Sequence, residues 1–366
     1  LQLLTYNSIK EIDSAVWQKA ARDYPLLSRD YLLATEIPDQ TLYVLGMERN
    51  GDCRGCAVLY LQMTDLMLFT PPDSFLGKTV NFIRDFIWPG FLKITVLECG
   101  PQSAIGPGVV GVYDLRFMRQ FLGLLEDLRI NAGASIAVIR DFKTASFIPD
   151  VEAAGFMAAP LLGEAELLIR WDTFEEYLGS LKSHYRRQVT SDIKKLELAK
   201  IEKETTTDFA HYAPDMLRLW RETSSRAKEY RREELDEAFF KGLSGHAVAT
   251  TFWKGKDMVA FAVSILGPQS LHPIWMGADY AVNSECPLIF GIYYEMIDLA
   301  IRLNKTCLLF GDTTYGPKLR LGAELVPLKM YLKTHYPPVT WLLARLAAKL
   351  IPGQEVTKRD VFKKGG

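Results

Sequence analysis

Residues 308–332 read LLFGDTTYGPKLRLGAELVPLKMYL. The apolar run 306–310 predicts a buried strand that runs out into Gly311 and Asp312. A loop then carries Tyr315, Lys318 and Arg320, Gly322 lets the chain turn back, and 325–333 reads as a returning strand. Titratable groups gathered where a buried strand ends are a common site arrangement, because a rigid sheet positions the loop that presents them. As chemistry, Lys318 would hold a phosphate or stabilise a developing oxyanion, Tyr315 would give a proton to a leaving group, and Asp312 would orient an amine. Arg320 adds a cation for the donor. The plainer alternative is that Asp312 caps the loop and Lys318 lies exposed.

This stretch closes a pattern that occurs twice along the chain. In the first half, 11–22 and 28–34 read as helices, 41–47 and 54–61 as strands, 92–99 as a strand, 100–111 as a glycine-rich turn, 113–130 as a helix and 134–139 as a buried strand. In the second half, a long helix is expected over 174–199 and a helical region with a break over 208–243. Strands follow at 247–253, 258–266 and 271–276, then helix 287–303, with Pro287 in its first turn, where a missing N–H costs nothing. Runs of meander strands argue against a doubly wound parallel sheet. The expected fold is α/β of the α+β kind: a mixed, largely antiparallel sheet flanked by helices, used twice, with domains at 1–160 and 161–366.

Composition narrows the function. The 366 residues carry 43 Lys+Arg against 44 Asp+Glu, a net charge of -1, so nucleic acid would meet a local patch, not a bulk basic field. No apolar run is long enough for a spanning helix, the N-terminus shows no secretory signal, and five scattered cysteines read as reduced. A cytoplasmic protein with no integral membrane segment is expected. Cys53-Arg-Gly-Cys56 lacks a second pair or a nearby His, and the five histidines show no ligand spacing, so no metal site is expected.

Two further segments offer anion sites. The helix from Phe174 carries an apolar stripe of Phe174, Leu178, Leu181, Tyr185, Val189, Ile193 and Leu196. Off that stripe lie Lys182, Arg186, Arg187, Lys194 and Lys195, against Asp192. Guanidinium forks at Arg186 and Arg187 suit a phosphate-bearing donor; a solvated helix face is the alternative. Gly106-Pro-Gly108-Val-Val-Gly111 fits GxGxxG between a strand and a helix, as a pyrophosphate cradle or a plain glycine loop. Residues 339–351 form an amphipathic C-terminal helix that docks on its own domain or meets a membrane surface.

The helix LKSHYRRQVTSDIKKLE (181–197), Trp275-Met-Gly277, and the block FGDTTYGPKLRLGAELVP (310–327) resemble the Fem-like members of the GNAT superfamily of acyltransferases, which carry two tandem GNAT-like domains. The resemblance is clear over 165–335 and rests on element order before that. It implies transfer of an acyl or aminoacyl group from an activated donor to an amine-type nucleophile of a small-molecule acceptor. The donor it implies is acyl-coenzyme A, a carrier-protein thioester or an aminoacyl-tRNA, used as a co-substrate with no cofactor tightly bound. tRNA or a carrier protein would meet the local basic patch. Lys318, with Gly322 behind it, matches the lysine of the Fem-like pattern; Pro317 stands where that family often has an aromatic residue. The pyrophosphate motif of simple GNAT enzymes is incomplete, with Ser103 at its first position, and 278–287 contains none of its glycines. A non-catalytic binding module on a decayed fold is the competing class.

Overall fold

The computed structural model describes residues 1–22, 24–67, 74–226, 235–350 and 359–363. Along the chain run β1 (Gln2–Tyr6), α1 (Ser14–Ala21), α2 (Arg29–Thr35), β2 (Thr41–Met47), β3 (Cys53–Asp65), α3 (Phe75–Phe86), β4 (Lys93–Cys99), β5 (Val109–Val110), α4 (Leu115–Asn131), β6 (Ile136–Lys143) and β7 (Met157–Pro160). There follow β8 (Glu164–Leu168), α5 (Phe174–Ser180), α6 (Ser183–Leu198), β9 (Ile201–Thr206), α7 (Ala213–Arg226), α8 (Glu237–Leu243), β10 (Val248–Lys254), β11 (Asp257–Leu266) and β12 (Ser270–Ala278). The last are α9 (Tyr280–Glu285), α10 (Leu288–Arg302), β13 (Cys307–Leu309), α11 (Tyr315–Arg320), β14 (Glu324–Val326), β15 (Leu328–Thr334) and α12 (Pro337–Leu350). Among the described residues, 1–162 and 327–350 form one compact unit; 163–226, 235–326 and 359–363 form the other.

The first unit holds a mixed sheet in the order β1-β2-β3-β4-β6-β15-β7, with β5 added to β3. β4 and β6 run parallel and the other pairs antiparallel. Strand alternation fills both faces. Ala137 and Ile139 of β6 face the core that receives Phe117, Phe121 and Leu125 of α4, while Ile136 and Val138 join the cluster under α12. β15 comes from beyond residue 326 yet lies between β6 and β7. The single strand expected at 325–333, within a domain of 161–366, is therefore two strands in two sheets. Pro327 separates them, having no N–H for a ladder, while its carbonyl accepts from Thr144 N at 2.9 Å.

The second unit's sheet runs β14-β8-β13-β12-β11-β10-β9, and only β12 and β13 are parallel. One face packs against α5, α6 and α10 in a single large core. The other carries α7 and α8, with Phe240 edge-on to Phe261 and both Trp220 and Phe239 edge-on to Trp275. Every member of the apolar stripe from Phe174 to Leu196 reaches the large core. The expected continuous helix nonetheless breaks at Leu181, which is extended (ψ 144°) and bridges Phe362. Lys182 N donates to Val361 O at 3.0 Å, and Lys363 N to Ser180 O at 2.9 Å. A segment some 180 residues downstream thus supplies the partners that a helical turn would have supplied.

Phe362 also lies against Trp171, ring centroids 5.3 Å apart, and covers Gly322. Gly322 has φ +91°, and a Cβ there would strike the Phe362 ring. Gly322→Ala is expected to lose about 1–3 kcal/mol for the backbone conformation alone, with the ring clash in addition. Gly316→Ala in the preceding helix α11, at negative φ with open space around it, should change the melting temperature little or raise it. Equal melting temperatures for both variants would contradict this packing.

Candidate functional site

The sheet of the second unit splays where its parallel pair separates. β12 and β13 share only the rungs Ser270–Cys307 and Leu271–Leu308; β12 then runs on to Ala278 without β13 beside it. β13 instead follows β8, and the pairing continues as Phe310 N donates to Ala165 O at 2.8 Å and Ala165 N to Gly311 O at 3.0 Å. Diverging carboxyl ends of parallel strands are where ligands enter α/β sheets. On the β12 side the ladder steps from Val263–Trp275 to Ser264–Pro273, leaving Ile274 as the extra residue of a bulge. The indole N–H of Trp275, next along the strand, is buried with no acceptor among the described residues. His272, where the strands part, accepts from or donates to Ser270 Oγ at 2.7 Å, and burial pushes it down to about 4, so it is neutral at ordinary pH.

Lys318 occupies this end of the sheet. The residues expected to form a loop around it make α11, entered through Gly311 (φ 80°) and Thr314 (φ 52°). Lys318 is 3% exposed, in place of the exposed side chain of the plainer reading, and its ammonium donates to Gly311 O at 3.4 Å. Burial brings it down to about 8, while the charges of Asp312 and Glu164 pull the other way. Glu164 comes from alternation on β8: Ala165 and Leu167 enter the large core, so Glu164 and Glu166 point to the opposite face, where both are buried. Neither carboxylate was among the expected site residues, although Glu-Ala-Glu at 164–166 carries the period-two signal. Asp312 is half-buried and Arg320 exposed.

Tyr315 is placed differently from expectation. Its hydroxyl donates to Gly163 O at 2.5 Å and its ring is buried in the large core, so its proton serves to anchor α11 to the start of β8. Arg186 is half-buried and Arg187 exposed on α6, and neither forms an ion pair among the described residues; Lys182 pairs with Asp360. The N-terminus of α10, which follows β12, is already served: Asn283 Oδ1 accepts from Ile289 N at 3.1 Å, and Pro287 occupies the cap.

In the first unit, the loop expected to cradle a pyrophosphate through Gly106, Gly108 and Gly111 is held by carboxylates instead. Gly106 N donates to Asp141 Oδ2 at 3.1 Å, and Asp141 also pairs with the buried guanidinium of Arg140. Arg140 binds Glu98 and the carbonyls of Pro101 and Ala104. The helix after the loop, α4, is capped by Asp114, which accepts from Arg116 N and Phe117 N at 3.1 and 3.0 Å. The glycines meet packing needs: a Cβ on Gly108 would strike the Gly100 backbone, and Gly111 sits at φ +95° against the Arg54 carbonyl.

No protein-family profile matches the chain. Among curated proteins it is similar to 8-amino-7-oxononanoate synthase 2 of two Mycobacterium tuberculosis strains, 27% identical over 274 residues, covering 71% of this chain and 36% of theirs. The chain thus spans about a third of the length of these relatives. Among solved structures it is similar to FemX, at TM-score 0.58 and 11% identity, covering 94% of this chain and all of that one. It is also similar to the C-terminal domain of a lysylphosphatidylglycerol synthetase from Agrobacterium fabrum, at TM-score 0.55 and 11% identity, covering 96% and 98%. At these identities the likeness concerns the fold. The chain shares the fold of FemX and of that synthetase domain, built here as two mixed sheets flanked by helices.

Proposed function

We propose that the protein is an acyltransferase that moves an acyl or aminoacyl group from an activated donor to the amine of a small-molecule acceptor, with Lys318 at the reacting carbonyl. The observation that carries this reading is the buried Lys318 amine at the diverging ends of β12 and β13. A lysine held there against the cost of desolvation is what a transfer step uses and what a merely structural position avoids. The acceptor nitrogen attacks the donor carbonyl, the C–N bond forms, and the thioester or ester bond breaks. The amine proton leaves with the departing thiol or hydroxyl, and the Lys318 ammonium stabilises the oxyanion in between. Asp312 orients the incoming amine.

The donor is borne by a carrier protein or by tRNA, and its phosphates meet Arg186, Arg187 and Arg320. Free coenzyme A fits less well, since the α10 N-terminus and the glycine loop of the first unit already use their donors internally. Such donors are made in the cytoplasm, where the reaction would run. Salt dependence of turnover separates the carriers: a tRNA donor gives a steep fall with added salt, a thioester a shallow one. Arg187→Glu should weaken donor binding and leave the melting temperature unchanged, because Arg187 is exposed and unpaired among the described residues. Unaltered donor affinity in that variant would return α6 to a solvated face.

A further inference from the structure

The first unit carries a helix whose outer face the transfer reaction does not use. α12 seats its inner face firmly: Ala344 and Thr340 are buried, Leu343 and Ala347 pack on the cluster of Ile136, Ala159 and Leu332, and Thr340 Oγ accepts from Thr334 N at 3.0 Å. Its outer face is apolar as well. Trp341 is 52% exposed and Leu342 49%, with Val339 and Leu346 also open and Tyr336 just before the helix. The guanidinium of Arg345 lies 5.5 Å from the Trp341 ring centroid, holding a cation beside the indole. Residues 335–350 contain His335, Arg345 and Lys349 and no Asp or Glu, in a chain whose acidic and basic residues otherwise balance.

We propose that α12 docks the first unit on an anionic phospholipid bilayer, lying in the headgroup plane with Trp341, Leu342 and Leu346 at the acyl boundary and Arg345 on lipid phosphate. Charge decides for this occupant. A face with aromatic and aliphatic groups and only positive charge complements a negatively charged lipid surface, where each basic residue adds to binding. The fourteen described residues of α12 reach about 21 Å, against a hydrocarbon core of roughly 30 Å. No helix among the described residues is long and apolar enough to cross a membrane. Another outward apolar helix of this unit, α3, presents Phe75, Phe82 and Phe86 beside charges of both signs, Lys78 and Asp85, and lacks that complementarity.

The test is co-sedimentation of the full chain with vesicles of phosphatidylcholine alone and of phosphatidylcholine mixed with phosphatidylglycerol. Binding is expected on the mixed vesicles, weakened by salt, and much weaker on the neutral ones. Arg345→Gln should lower the partition about fivefold, and Trp341→Ser with Arg345→Gln about tenfold or more, without moving the melting temperature. Phe82→Ser with Phe86→Ser should keep the salt-sensitive binding. Absence of binding to mixed vesicles, or equal binding by the α12 variants, would overturn the proposal. So would loss of binding in the α3 variant alone, or a concentration-dependent dimer that the Trp341 change abolishes, which would give the face to a second copy.

Discussion

Lys318→Met is expected to fold, to gain stability at neutral pH, and to transfer about 10²–10³ more slowly than the parent, the loss that follows removal of one oxyanion donor. The gain in stability has a definite sign. The folded-state amine titrates near 8 and the unfolded one near 10.5, so between those values the unfolded state binds more protons. Stability therefore rises with pH through that window, and below about 8 the whole cost of burying the ammonium is present. Methionine removes that cost, so the variant should be more stable than the parent by about 1–3 kcal/mol at pH 7, with the difference vanishing above pH 10.5. In the parent, turnover should fall as pH rises through about 8, where the ammonium is lost. Lys318→Arg should move that fall upward while recovering little rate, because the planar guanidinium does not reproduce the compact ammonium. A Lys318→Met protein that is both less stable and fully active would place the lysine in a structural role.

The second large effect concerns β15. A chain ending at residue 326 loses the strand that pairs with β6 on one side and β7 on the other, together with α12 and the 359–363 segment of the second unit. Leu328, Tyr331 and Leu332 are each at most 4% exposed, and burying each such side chain contributes about 1.5–3 kcal/mol. Their joint loss is comparable with the whole stability of a domain, about 5–15 kcal/mol. The first unit is expected to be unfolded in that truncation, seen as loss of near-ultraviolet circular dichroism and rapid proteolysis within 1–162. Tyr331→Pro, which removes one ladder donor from a strand paired on both edges, should do much of the same damage in the full chain. A truncated chain whose first unit still unfolds cooperatively would show that β15 is dispensable.

The elements most legible in the sequence are those whose signal is local. The stripe from Phe174 to Leu196 names the buried face of two helices correctly, although a break separates them, because three- and four-residue steps survive a single extended residue pair. The break depends on Phe362, and the split of 325–333 depends on which sheet each half joins; neither partner is near in sequence. α11 was hidden because Gly316 and Pro317 are poor helix formers, so tertiary contacts decide its shape. Its helical turn is what carries Lys318 inward. The place of Lys318 and Asp312 beyond a buried strand could be read from the run 308–332, whereas the partner of the glycine loop could not, because Asp141, which accepts from Gly106 N, lies 35 residues beyond. The bulge at Ile274 was readable: Pro273 inside an apolar strand signals an interrupted ladder.

Mass spectrometry of an extract incubated with purified protein and a panel of isotope-labelled donors (acyl-coenzyme A, acyl carrier protein and aminoacyl-tRNA) tests the proposed transfer most directly. One labelled amide product is expected, whose formation requires the wild-type protein and falls about 10²–10³-fold with Lys318→Met. No labelled product from any donor, or undiminished product with Lys318→Met, would contradict it.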